Sequence, residues 1–178
     1  RRLAVDLRDP EACTSAVAAA SEGGPLSGLV NAVGVVAFGT VDELAPDVME
    51  ELFLTNTFVP MMLARAALPH FGDDGGVIVN LAGVVAEQSF PGMAAYAASK
   101  AAVRAFDEGL ASEVRRRKIR VVNARPPHTE TGLAERPIAG TAPRFPTGLD
   151  PEDVARRIVE AIIADERDLP SSAFGSET

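Results

Sequence analysis

The stretch Val77-Ile78-Val79-Asn80-Leu81 is a strand whose apolar residues run almost without a break. A strand with one wet face alternates apolar and polar residues, whereas a run of this kind is covered on both faces, as in a parallel sheet. The turn Asp73-Asp74-Gly75-Gly76 leads into it. Two further short runs have the same character: Leu29-Val30 with Val33, ending at Gly34, and Ile119-Arg120-Val121-Val122. Leu3-Ala4-Val5 reads as the end of another strand, and Leu169 to Phe174 as a final short one.

Helical patterns alternate with these runs. Asp9 caps a helix with Pro10 at its first position, and Glu22-Gly23-Gly24-Pro25 stops it after about Ala20. Pro46 opens a long amphipathic stretch, with Met49, Leu52, Phe53, Phe58, Met61, Met62 and Leu63 at helical spacing up to about Leu68. An alanine-rich helix spans Met93 to about Arg116, and Asp150-Pro151 begins a last one with Asp153 at its third position. Residues 126–149 have no periodicity and are dense in Pro, Gly and Thr; structureless segments of that length are usually functional. The alternation predicts an α/β fold over 1–178, a single domain with a doubly wound parallel sheet and helices on both faces. Ligands bind such sheets at the carboxyl ends of the strands. Residues 31–39, 82–92 and 126–149 should therefore converge on the site.

Charge and composition narrow the function. At 178 residues the chain can bury one continuous core, and its net charge of -8 counts against a nucleic-acid partner, which needs a basic face. The run Arg115-Arg116-Arg117-Lys118 is expected at a helix C-terminus, where cations complement the macrodipole. The only cysteine, Cys13, can form no internal disulfide and points to a reducing compartment. No apolar run follows Arg1-Arg2 as in a secretory signal, and no uninterrupted run approaches the roughly 18 residues of a membrane span. The expectation is a cytoplasmic protein with no membrane partner.

Tyr96 is the only tyrosine and Lys100 one of two lysines; four apart in a helix, they share a face. A phenol titrates near pH 10 and is a poor base at neutral pH, but an ammonium beside it favours the phenolate. Such a pair can exchange a proton with a carbonyl or alcohol oxygen. The same spacing also suits an ordinary surface pair.

The run Tyr96-Ala97-Ala98-Ser99-Lys100 follows Phe90-Pro91-Gly92-Met93-Ala94-Ala95, with Val77-Ile78-Val79-Asn80 upstream and Leu29-Val30-Asn31-Ala32-Val33-Gly34 further back. This set resembles the short-chain dehydrogenase/reductase family over essentially the whole chain. The resemblance implies a Rossmann-like fold and an NAD- or NADP-dependent oxidoreductase that interconverts a small-molecule carbonyl and its alcohol. Tyr96 matches the acid/base, Lys100 its partner and the ribose-binding lysine, and Asn56 the asparagine that organises a water chain to that lysine. Asp6 matches an acid near the adenine, Asn31 and Gly34 the strand-end segment at the cofactor, and Pro126 with Thr131, or alternatively Thr129, the stretch at the nicotinamide. Residues 126–149 would be a lid over the substrate. The helices at 46–68 and 93–116 resemble those of the family's homodimer or homotetramer interface.

Three features depart from the pattern. Gly83 stands where the family's catalytic serine contacts substrate, so a hydroxyl is missing; losing such a donor costs about 10²–10³ in rate. Pro127 replaces a glycine and removes an N–H. No Gly-x-x-x-Gly-x-Gly segment occurs, so strands 1 and 2 of the fold, about sixty residues, are expected to be missing. The 178 residues alone are then expected to be inactive and not to bind nicotinamide nucleotides measurably. With strands 1 and 2 absent, Leu3-Val5 should pair with the Leu29 strand or stay unpaired. A catalytically impaired binding or regulatory scaffold is the alternative function.

Overall fold

A computed structural model of the chain describes residues 2–175; Arg1 and 176–178 lie outside the described residues. Its sheet has three parallel strands in the order β1-β2-β3: Gly28–Asn31, Gly76–Leu81 and Ile119–Ala124. Leu29 pairs with Ile78, and Ile78 with Val121, so these side chains share one face. The helices are α1 (Pro10–Ala20), α2 (Pro46–Phe53), α3 (Val59–Ala67), α4 (Ala94–Val114) and α5 (Pro151–Ile163).

Ile78 and Val121 point into a core shared with α1, α3 and α4, through Cys13, Val59, Leu63, Leu110 and Val114. Val77, Val79 and Val122 point the other way, onto Val154 and Ile158 of α5. Both faces of β2 are therefore covered, and this is why its sequence does not alternate. The expected doubly wound, Rossmann-like architecture is present. Asp9 and Asp150 cap α1 and α5 by accepting from the N–H two residues on, with proline in the first turn.

Several local expectations are corrected. Leu3 to Val5 form no strand, and of the two outcomes expected for their pairing they take the second and stay unpaired, with Leu3 and Val5 about half exposed. β1 stops at Asn31, not Gly34, because the Asn31 side chain takes the Val33 N–H and turns the chain. The stretch from Pro46 to Leu68 is not one α-helix: Leu54–Phe58 is a π turn. Pro60 cannot donate the next backbone bond, and Val59 N–H reaches back to Leu54. The rod 46–70 is long and apolar enough to span a bilayer, contrary to the reading from uninterrupted runs. Half of its most apolar window is buried within the fold, as in a core helix.

The basic run follows α4 as a tight turn, with Lys118 in the left-handed region (φ 54°). Arg117 donates to the Leu68 carbonyl and Lys118 to that of Asp73, so the run ties neighbouring loops to α4. Leu169 makes one bridge to Ala124, and Ser171–Phe174 forms a tight turn rather than a strand. Pro170 interrupts the pairing, and Glu87 captures both the backbone N–H and the hydroxyl of Ser171.

Residues 126–149 lie over the sheet's carboxyl edge. Phe38 N–H donates to Ala139 and Ile138 N–H to Val36. Leu133, Ala134, Ala142 and Phe145 pack onto a cluster of Val36, Phe38, Leu52, Val85 and Tyr96.

Candidate active site

α4 presents a buried stripe of Tyr96, Lys100, Val103, Asp107, Leu110 and Val114 to the rest of the fold. Lys100 Nζ donates to the Leu81 carbonyl at 2.9 Å, at the end of β2. A Cβ on Gly34 would lie 3.2 Å from that Nζ and 3.1 Å from Asn56 Oδ1. A side chain here would crowd both groups, so Gly34, Lys100 and Asn56 meet closely at the ends of β1 and β2.

Asn56 is fully buried and sits in the π turn. Its Oδ1 accepts from Val35 N–H at 2.8 Å, and its Nδ2 donates to the Val35 carbonyl and to Ser99 Oγ. Ser99 Oγ donates to the Tyr96 carbonyl at 2.7 Å, and Thr57 Oγ1 to the Ser99 carbonyl at 2.8 Å. One asparagine thus ties the loop after β1 to the turn of α4 that carries Tyr96.

The expected acidification of Tyr96 by Lys100 is not found. Burial pushes the phenol up to about 12 and lowers the ammonium to about 8. Lys100 is turned to the Leu81 carbonyl, and no charge offsets the phenol's loss of solvent. Nor does Tyr96 face an open cleft. It is 8% exposed beneath the 126–149 segment. The cleft within that segment, 560 Å³, is lined by its own residues such as His128, Glu130 and Phe145, not by Tyr96.

Gly83 adopts φ +87°, where a side chain would be strained, although the nearest atom to a Cβ at this position would be 3.8 Å away. Ser89 is exposed in the loop beyond. Asn31 is buried, with its Oδ1 taken by Val33 and its Nδ2 unpartnered. The Pro126 carbonyl accepts from Val84 N–H, which anchors the segment's root. Thr129 Oγ1 donates to the Pro127 carbonyl at 2.9 Å, and Thr131 is exposed. Asp6 is exposed and held by Arg8, which keeps its carboxyl down at about 2; Arg8 also reaches Glu51. None of these contacts joins Asp6, Thr129 or Thr131 to the Gly34–Asn56–Lys100 group.

Two buried groups escaped the sequence reading. Asp107 accepts from Asn80 Nδ2 and Asn123 Nδ2, at 2.5 and 2.6 Å, and burial lifts its carboxyl to about 7. Its signal was a charged residue in the apolar stripe of α4, two turns from Lys100. Arg125 is paired with Glu87 and, bidentately, with Asp168. It left no comparable signal, because its partners are distant in sequence.

Lys100, Asn56 and Gly34 gather at the carboxyl edge of a parallel α/β sheet, the edge at which sheets of this class bind their ligands. The family profile described as short chain dehydrogenase matches residues 2–140. The chain belongs to the short-chain dehydrogenase/reductase family. It is 30% identical over 174 residues to dehydrogenase/reductase SDR family member 7B of Danio rerio, covering 93% of this chain and 56% of the relative. It is 31% identical over 176 residues to an SDR family protein 7-like of Anopheles gambiae, covering 94% and 56%. The chain therefore spans little more than half the length of these relatives. Among solved structures, a short-chain dehydrogenase from Streptomyces avermitilis superposes with a TM-score of 0.82 at 28% identity, over 96% of this chain and 70% of that one. One from Burkholderia cenocepacia, in complex with NADP, gives 0.82 at 28% identity, over 97% and 76%.

Proposed function

We propose that this chain carries the proton-transfer half of an NAD(P)-dependent oxidoreductase that interconverts a carbonyl compound and its alcohol. The observation that carries the reading is the convergence of Lys100, Asn56 and the side-chain-free Gly34 at the ends of β1 and β2. The bound nicotinamide cofactor would supply the hydride. Lys100 uses one donor on Leu81, and an ammonium has three. Two N–H groups remain for ribose hydroxyls, beside Gly34, which brings no side chain of its own. Asn31 Nδ2, buried and unpartnered, is a further donor at the same edge. These residues fit the nicotinamide–ribose end of such a cofactor. With no glycine-rich turn in the 178 residues, this reading takes the pyrophosphate grip from elsewhere in the whole protein.

In the reductive direction the Tyr96 hydroxyl donates its proton to the carbonyl oxygen. Asn56 fixes the turn of α4 that aims it, through Ser99. Residues 126–149 act as a lid that excludes water. Phe58, about half exposed on the outer face of the 46–68 rod, favours self-association through that rod and α4.

A second reading, a binding scaffold without turnover, is favoured by the absence of a hydroxyl at Gly83 and by the sealed phenol. Calorimetric titration of the whole protein with NADPH and NADH, beside Lys100→Met, tests the first reading. Binding weakened tenfold or more in the variant supports it. Equal binding to both contradicts it. The 178 residues alone should bind too weakly to measure.

A further inference from the structure

Phe145 belongs to two environments at once. It lines the 560 Å³ cleft of the 126–149 segment, and it packs onto the apolar cluster that contains Tyr96. Its ring lies 6.0 Å from that of Phe38, on the cluster side, and is stacked 4.8 Å from that of His128, on the cleft side. Ala134 and Ala142 share both environments, but they are small. Phe145 is the one large side chain common to the cleft lining and the apolar cluster that contains Tyr96. His128, its stacking partner, is 3.5 Å from Glu130 and belongs to the same segment.

The charges on either side are one-sided. The side chains that pack with Tyr96 in this cluster, Val36, Phe38, Leu52, Val85 and Met93, are apolar. The cleft is lined by two carboxylates, Glu130 and Glu135, and by no lysine or arginine. A carboxylate or phosphate passing through would lose water and face these two carboxylates, and burying an ion costs several kcal/mol in general.

We propose that Phe145 is the gate between this cleft and Tyr96, and that it admits an uncharged, apolar carbonyl compound or alcohol. The substrate class rests on the oxidoreductase reading above; the gate does not. Removing the ring joins the cleft to the phenol, and no chemistry is needed to see it. Tyr96 is the only tyrosine and there is no tryptophan, so intrinsic fluorescence and phenol absorbance report this one side chain.

The test compares the wild-type chain with Phe145→Ala and Phe145→Leu. Acrylamide quenching of Tyr96 should rise several-fold in Phe145→Ala, and the phenol should titrate below its wild-type midpoint. Phe145→Leu should stay near wild type. Cys13, fully buried in the separate core of α1 and α3, must stay unreactive toward a thiol reagent, which separates an open gate from an unfolded chain. Unchanged quenching and titration in a folded Phe145→Ala overturn the gate. A second measurement needs no variant: the Tyr96 ring resonances of the wild-type chain, titrated with cyclohexanone and with 4-oxocyclohexanecarboxylate. Shifts with the neutral ketone alone support the substrate class. Shifts with both, with the carboxylate alone, or with neither overturn it. All these readings stand whether or not the protein turns over NADPH.

Discussion

Asn56 grips Val35 by both of its backbone groups: Oδ1 accepts the Val35 N–H at 2.8 Å and Nδ2 donates to the Val35 carbonyl at 2.9 Å. The side chain replaces a strand partner for the loop after β1. Asn56→Ala orphans two backbone groups and removes the donor to Ser99 Oγ, which keeps its own bond to the Tyr96 carbonyl. The expected loss is about 3 kcal/mol, from the cost of unsatisfied buried groups. Urea denaturation measures it, and a loss within experimental error of zero would show that the grip is dispensable.

Asp107 makes stability depend on pH. Its carboxyl titrates at about 7 in the fold against 3.8 in the free side chain, mainly through burial. The folded chain therefore keeps a proton that the unfolded chain has released. The contribution is full below pH 4 and is lost as pH rises through 7. A difference of that size corresponds to about 4 kcal/mol. Melting profiles between pH 4 and 8 should show this slope in the wild type and a flatter one in Asp107→Asn.

Lys100 has the opposite sign. Its ammonium titrates at about 8 in the fold against 10.5 when free, because it is buried. Between those values the unfolded chain holds more protons, so stability rises with pH from 8 to 10.5. Below pH 8 the buried charge costs about 3 kcal/mol. Lys100→Met should raise the melting temperature at pH 7 and weaken nucleotide binding in the whole protein. A variant less stable than wild type at pH 7 would contradict this trade-off.

Arg125 holds the C-terminal turn. It is 3% exposed, between Glu87 and Asp168, and Glu87 also binds Ser171. Arg125→Met leaves two carboxylates unpaired, of which Asp168 is largely solvated. The expected loss is about 2–3 kcal/mol, with amide exchange fastest at 169–174. Exchange that rises evenly along the chain would show that Arg125 has no local role.

The sheet was legible because its strands are covered on both faces, and a parallel sheet writes that as unbroken runs such as Val77-Ile78-Val79. The caps at Asp9 and Asp150 were legible because capping is a local rule. Leu3 to Val5 stay unpaired, one of the two outcomes expected without strands 1 and 2, but their apolar run is not the strand it reads as, and Leu169 to Phe174 turns instead of extending, because propensity does not say whether a partner is in place. Lys100, Asn56 and Gly34 were found through the family pattern. Their actual partners, Leu81, Val35 and Ser99, follow from tertiary placement that spacing does not encode. The acidified phenol was a pairwise inference, and the burial imposed by residues 126–149 outweighs it. Asp107 shows that a charge on an apolar stripe is worth following even when no motif contains it.

The most direct test of the account is the rate of hydride transfer from NADPH to a neutral apolar ketone, by the whole protein and by its Tyr96→Phe variant. The account predicts a fall of about 10²–10⁴, the usual worth of a positioned acid/base, with unchanged nucleotide binding. Turnover that survives the substitution would contradict it.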